Sequence, residues 1–118
     1  MENSENSILR IFASSTDKIG QDLLYEYLVV LAKDKGIAGT TVLRGIMGFG
    51  SSSKISTSRF WELTDKLPVI IEMIDETESL ERFYEFIQSD LQKVNKGILV
   101  TLQPLEIKLL KKGVQQNK

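Results

Sequence analysis

The 118-residue chain contains no cysteine and no histidine. The first absence excludes a disulfide framework and a thiol nucleophile, the second an imidazole general base, and together they remove the usual ligands of zinc and copper. Carboxylates alone can still hold magnesium or calcium, so hard cations stay open. Neither sign of charge is in surplus: 15 Lys and Arg face 16 Asp and Glu. A formal net charge of -1 gives no electrostatic case for nucleic acid or an anionic membrane. Nor do the cations gather on one face that the sequence pattern identifies. Apolar runs are only a few residues long, and the opening Met1 to Asn6 is acidic and polar. Neither a transmembrane helix nor a signal peptide is therefore expected, and the cytoplasm is the expected compartment.

A chain of this length is most simply one domain, with a core large enough to need no disulfide or structural metal. We place that domain at residues 7–112, with residues 1–6 and 113–118 as flexible polar ends. Within it the hydrophobic period switches repeatedly. Ile8 to Ala13 is short and rich in branched side chains, as a strand should be. From about Gln21 to Lys35, Leu24, Tyr27 or Leu28, and Leu31 recur at helical spacing, and Gly36 stands where a left-handed cap ends a helix. Thr40 to Phe49 reads as a strand despite Gly45 and Gly48. Pro68 precedes a strand from Val69 to Ile74, and Thr77 is placed as the N-cap of a second helix. That helix carries Glu78 and Glu81 in its first turn and Leu80, Phe83, Ile87, Leu91 and Val94 on one face. Ile98 to Leu102 is a further strand, Pro104 interrupts it, and Leu105 to Leu109 alternates as a short extra strand.

The order predicts an α+β fold, the ferredoxin-like βαββαβ sandwich, with both helices on one face of an antiparallel sheet. Val69 to Ile71 and Ile98 to Val100 are apolar at successive positions, so both faces of these strands are hydrophobic. A two-layer protomer exposes one of those faces, which implies burial by self-association.

Five glycines punctuate the stretch from Gly36 to Gly50, which empties into a hydroxyl-rich segment, Ser51 to Arg59. Glycines weaken a strand, so a purpose other than packing is the first reading. Gly45 and Gly50 have the spacing of the P-loop glycines, but Ser51 stands where that motif needs lysine. Gly48 and Gly50 match the first two glycines of the dinucleotide fingerprint, but Ser53 replaces the third. Neither motif is present. What survives is the physics: glycine lets a backbone approach a ligand, and its N–H groups can cradle an anion.

Residues 50–66 form a long connection for so small a domain. Lys54 and Arg59 offer cationic donors suited to phosphate, and the competing reading is an idle solvent loop. Phe60 and Trp61 are read as anchoring the far end of the loop by packing rather than by stacking on a base. Arg44 either meets a phosphate or carboxylate beside the loop or pairs with Glu72 on a neighbouring strand. Lys93 and Lys96, at the end of the second helix, either bind an anion or complement the helix C-terminus. Asp75, Glu76 and Glu78 cluster, but at a strand end and helix start, where capping accounts for them better than acid–base catalysis. With no other catalytic constellation, a non-enzymatic protein is expected.

Gly36-Ile37-Ala38-Gly39-Thr40-Thr41-Val42-Leu43-Arg44-Gly45-Ile46-Met47-Gly48-Phe49-Gly50, with Leu24-Tyr25-Glu26 upstream and Leu67-Pro68-Val69 downstream, resembles the PII-like family of small uncharacterised bacterial and archaeal proteins. The likeness runs from about Ile8 to Leu109. It implies a ferredoxin-like protomer in a compact homotrimer, with adenine nucleotides bound in clefts between protomers. It also implies a long loop, here Gly48 to about Lys66, that changes shape to engage a target protein. Arg44, Gly48 and Gly50 lie at the base of that loop. The second phosphate-binding element of PII proteins is a glycine-rich basic turn after the second helix, where this chain has Lys93-Val94-Asn95-Lys96-Gly97 with a single glycine. ATP, ADP, AMP, a cyclic nucleotide and other anions therefore all stay open, and no cofactor is required. The loop tyrosine modified in many PII proteins has no counterpart in residues 50–59.

The leading expectation is a signalling sensor that binds a small phosphorylated ligand through Arg44, Gly48, Gly50, Lys54, Arg59, Lys93 and Lys96. The alternative is a structural or metal-handling trimer similar to the CutA proteins of the same fold, which the lack of soft ligands disfavours.

Overall fold

The computed structural model describes residues 5–50, 56–57 and 66–114. Alternation of side chains along each strand, set against the period of two helices, generates the architecture. Strand β1 (Asn6–Ser14) is central, flanked by β3 (Pro68–Glu76) and β4 (Leu99–Leu105), and β2 (Gly39–Arg44) lies outside β3. The strand order is β2-β3-β1-β4 and every pairing is antiparallel, which is the ferredoxin-like topology expected from the sequence. Register centres on Ile11, which faces Ile71 on β3 and Val100 on β4, while Ile71 also faces Val42 on β2.

Helices α1 (Leu24–Asp34) and α2 (Thr77–Gln92) cover one face. Leu24, Leu28 and Ala32 of α1 and Leu80, Phe83, Ile87 and Leu91 of α2 are buried against Leu9, Ile11, Val69, Ile71 and Met73 of the sheet. These are the helical faces that the apolar spacing predicts. Helix α1 ends in a Schellman motif: the Ile37 N–H donates to Ala32 O at 2.9 Å, the Gly36 N–H donates to Lys33 O at 3.1 Å, and Gly36 has φ +82°. Tyr27 joins the helices, its hydroxyl donating to Asp90 Oδ2 at 2.9 Å.

Four expectations need correction. The strand expected through Phe49 stops at Arg44, and Met47–Gly48 instead pairs with Ser56–Thr57 as the base of a separate two-stranded ribbon. Thr77 does not cap α2; it is the first helical residue, its N–H donates to Glu5 O, and its hydroxyl lies 2.6 Å from Ser7 Oγ. The helix start is thus tied to β1 by tertiary hydrogen bonds that local sequence does not encode. Asn6, expected in the flexible N-terminal end, already belongs to β1, where it pairs with Glu76 and Leu105. No extra strand forms after Pro104: β4 runs through the proline to Leu105, and residues 106–114 carry no strand. Strand β4 is at the sheet edge, where a residue without an N–H is tolerated. Residues 1–4 and 115–118 lie outside the described residues.

The sheet face away from the helices carries Ile8, Phe12, Leu43, Ile70, Ile74 and Leu99. Leu43, Ile74 and Leu99 are exposed. A polar row crosses this face, with Arg10 Nε donating to Glu72 Oε2 at 2.9 Å and Arg10 Nη1 to Gln103 Oε1 at 3.0 Å. No helix among the described residues is long and apolar enough to cross a membrane.

Candidate site at the base of the ribbon

Pro68 organises the glycine segment. The Gly45 N–H donates to Pro68 O at 2.7 Å, and a Cβ placed on Gly45 would lie 2.9 Å from Pro68 Cγ. A Cβ on Gly48 would lie 3.4 Å from the same atom. Gly45 therefore answers first to packing against the proline ring, which corrects for this glycine the expectation that packing did not select it, whereas a Cβ on Gly48 would make only an ordinary contact. The other leg of the connection is fastened just before Pro68, where the Ser15 N–H donates to Leu67 O at 2.8 Å and the Leu67 N–H to Ser15 Oγ at 3.0 Å. Sequence reasoning missed this clasp; the run Ser14-Ser15-Thr16-Asp17 signals a turn after β1, but not that its serine holds a segment some fifty positions away. Asp17 supports the turn, Oδ2 accepting from the Ser14 N–H at 2.9 Å, while its buried Oδ1 has no partner among the described residues.

Arg44 ends β2 opposite Val69, on the helix side of the sheet, and its side chain is exposed. Its proposed partner Glu72 faces Thr41 on the other side and is taken by Arg10. The Arg44–Glu72 salt bridge is thus ruled out by strand parity, and Arg44 makes no ion pair among the described residues. Asp75, by contrast, has a structural role, since its Oδ2 accepts from the Ala38 N–H at 3.0 Å and its Oδ1 from the Glu76 N–H at 2.6 Å.

Lys93 is the C-cap of α2, with its N–H donating to Asp90 O, and Lys96 follows in the exposed turn before β4. Because Leu99 pairs with Phe12 and Arg44 with Val69, that turn and the ribbon base share one end of the sheet. They lie at opposite edges, separated by three interstrand steps of about 4.8 Å each. One protomer therefore carries Arg44, Gly48 and Gly50 at the β2 edge or in the segment that follows it, and leaves Lys93 and Lys96 at the other edge. Lys54 and Arg59, together with Phe60 and Trp61, lie outside the described residues. The ribbon base itself presents Ile46, Met47 and Phe49, 77%, 58% and 74% exposed.

The profile of the DUF190 family, described as an uncharacterized ACR, matches residues 6–107. The chain belongs to the DUF190 family. A UPF0166 protein of Aquifex aeolicus is 36% identical over 103 residues, covering 87% of this chain and 93% of that protein. Among solved structures, CPII of Thiomonas intermedia K12, a nitrogen regulatory PII-like protein bound to ADP, AMP and bicarbonate, superposes with a TM-score of 0.58. Its identity is 18%, over 82% of this chain and 84% of that one. CutA1 from Oryza sativa gives a TM-score of 0.53 at 14% identity, over 90% and 85% of the two chains. At these identities the two structures establish the shared fold, as the PII-like resemblance of the glycine segment implies.

Proposed function

We propose that this DUF190 protein is a non-enzymatic PII-like sensor that binds an adenine nucleotide between protomers and relays occupancy to a target protein through residues 48–66. The observation that carries the reading is the division of the candidate anion-binding groups between the two sheet edges. Arg44 at the end of β2 and the ribbon base that follows it stand at one edge and the Lys93–Gly97 turn precedes β4 at the other, so in this reading a second copy closes them around one ligand. The exposed apolar sheet face supplies the reason for copies to associate, and the Arg10–Glu72 pair within it favours one register. Three-fold symmetry follows the family resemblance, and the ADP and AMP bound to CPII indicate the ligand class.

In this scheme Arg44, with Lys54, Arg59, Lys93 and Lys96, supplies donors to phosphate oxygens, while Gly48 and Gly50 allow close backbone approach. Binding shifts the population of loop conformations only through contacts that differ between them, and Arg44 at the stem is placed to make such contacts. Ile46, Met47 and Phe49 form the apolar patch that the target contacts. Titration calorimetry with ATP, ADP and AMP tests the proposal. Saturable heat that Arg44→Ala weakens without lowering thermal stability supports it; no heat and no thermal shift with any of the three overturns it.

The CutA1 likeness favours a second reading, a metal-handling trimer. Without histidine or cysteine such a site would have to be built from carboxylates and to prefer hard cations. Equilibrium dialysis showing tight stoichiometric binding of a divalent metal would establish it.

A further inference from the structure

Beyond the sheet, residues Glu106 to Val114 leave the protomer without secondary structure and almost without cover. Leu109, Leu110 and Val114 are 80%, 73% and 92% exposed. Lys108, Lys111 and Lys112 alternate with these apolar groups. Lys108 reaches only the exposed Glu106, at 3.4 Å, and Lys111 and Lys112 make no ion pair among the described residues. A segment that combines bare leucines with two unpaired lysines and a third held only by an exposed neighbour is poorly suited to solvent and well suited to an acidic-rimmed apolar groove.

Such a groove of about 310 Å³ lies on the outer side of α1. Asp22, Glu26, Val30 and Asp34 follow one another at four-residue spacing along it, with Tyr27 and Leu31 as its inner wall. Val30 is 62% exposed, and none of the three carboxylates has an ion-pair partner among the described residues. Three unpaired carboxylates around an exposed valine complement three lysines around exposed leucines in both charge and polarity. The tail leaves the sheet from edge strand β4, whereas α1 lies over β2 and β3, with α2 packed between on β1 and β3. The groove of its own chain is thus across α2, and the tail as it stands does not touch it.

We infer that the segment Lys108–Lys112 docks in the Asp22–Glu26–Val30–Asp34 groove of a second copy of this chain. The contact is separate from the apolar sheet face and from the nucleotide cleft, so it holds or fails independently of them. Val30 anchors Leu109 or Leu110, and the carboxylates at the rim take the lysines, which makes the contact sensitive to salt.

The absence of native cysteine gives a direct test, because every disulfide is then an engineered one. A Val30→Cys chain is co-expressed with a mass-tagged Leu110→Cys chain and oxidised. The expected result is a mixed disulfide between the two chains, several-fold above that given by Phe86→Cys with Leu110→Cys. Phe86, 52% exposed against 62% for Val30, is a control of comparable accessibility. High salt, or Lys111→Glu with Lys112→Glu, lowers the yield several-fold, and Glu26→Lys with Asp34→Lys in the partner chain restores it. The same yield from the Phe86→Cys control, or a yield indifferent to charge reversal, overturns the proposal. So does a disulfide that forms only within a chain carrying both substitutions. All substituted side chains are exposed, so loss of folding does not account for a negative result.

Discussion

Gly45 and Pro68 are locked together by both a hydrogen bond and a steric limit. The amide of Gly45 donates to the proline carbonyl at 2.7 Å, and the space where a Cβ would stand is closed by Pro68 Cγ at 2.9 Å. The contact joins the end of β2 to the start of β3, so it fixes where the ribbon leaves the sheet.

Gly45→Ala is accordingly expected to destabilise the protein by about 1–3 kcal/mol, the range for inserting a methyl group where no space exists. Pro68→Ala removes the opposing Cγ, so the double variant should lose less than the sum of the two single variants. Urea unfolding of the four proteins in the cycle measures that coupling. Additive losses would show that the ring and the glycine do not oppose each other.

Ile71 is fully buried at the centre of the sheet, between Ile11 on one neighbour and Val42 on the other. Ile71→Ala should cost about 2–5 kcal/mol, because the rigid pairing on both sides prevents the cavity from collapsing. Chemical denaturation reads the loss directly. A cost below about 1 kcal/mol would indicate that this part of the sheet repacks freely.

The branched side chains of Ile8 to Ala13 and the helical spacing of Leu80, Phe83, Ile87 and Leu91 made the two layers legible, because branched residues suit a strand and burial of one helix face imposes its period on the sequence. The left-handed cap was legible at Gly36 for a similar reason: one residue carries the whole conformational demand. Contacts between distant segments were not legible. Nothing near Thr77 indicates that Ser7 and Glu5 will hold it, and nothing near Gly45 indicates that a proline will lie on it. Pro104 misled because a strand tolerates proline only at an edge, and edge position is a property of the assembled sheet. In the candidate site, the residue types at the ribbon base were visible, but strand parity, which separates Arg44 from Glu72, depends on register.

Tyr27 should give the protein a characteristic alkaline response. Its hydroxyl is held above the usual value of 10.0, first by donation to Asp90, then by burial and by the negative charges of Asp90 and Asp22. A group whose pKa is raised on folding contributes its full stability below the unfolded value, and that contribution fades as pH rises through the folded one. Tyr27→Phe should therefore cost about 0.5–1.5 kcal/mol at neutral pH, the net worth of one hydrogen bond. The difference from the wild type should stay constant up to about pH 10 and narrow above it. Denaturation curves across the alkaline range check both parts. A difference that widens above pH 10 would contradict the assigned donor role.

Leu99 offers the sharpest separation between folding and assembly. It lies opposite Phe12 on the face without helices and is 57% exposed in the protomer, so Leu99→Asp removes little buried surface and should leave the circular dichroism spectrum unchanged. If copies cover that face, the same carboxylate is driven into an apolar interface, where an unpaired charge is not tolerated. Light scattering should then show the assembly falling to protomers, while Phe86→Asp on the helix side, at comparable exposure, leaves the mass unaltered. Because β2 and β4 hold the two halves of the proposed nucleotide cleft, the dissociated variant should also lose calorimetric heat with ADP, although Arg44 and Lys96 are both intact. Loss of mass with binding preserved would place the ligand within one protomer, and an unchanged mass would show that this face is not where copies meet.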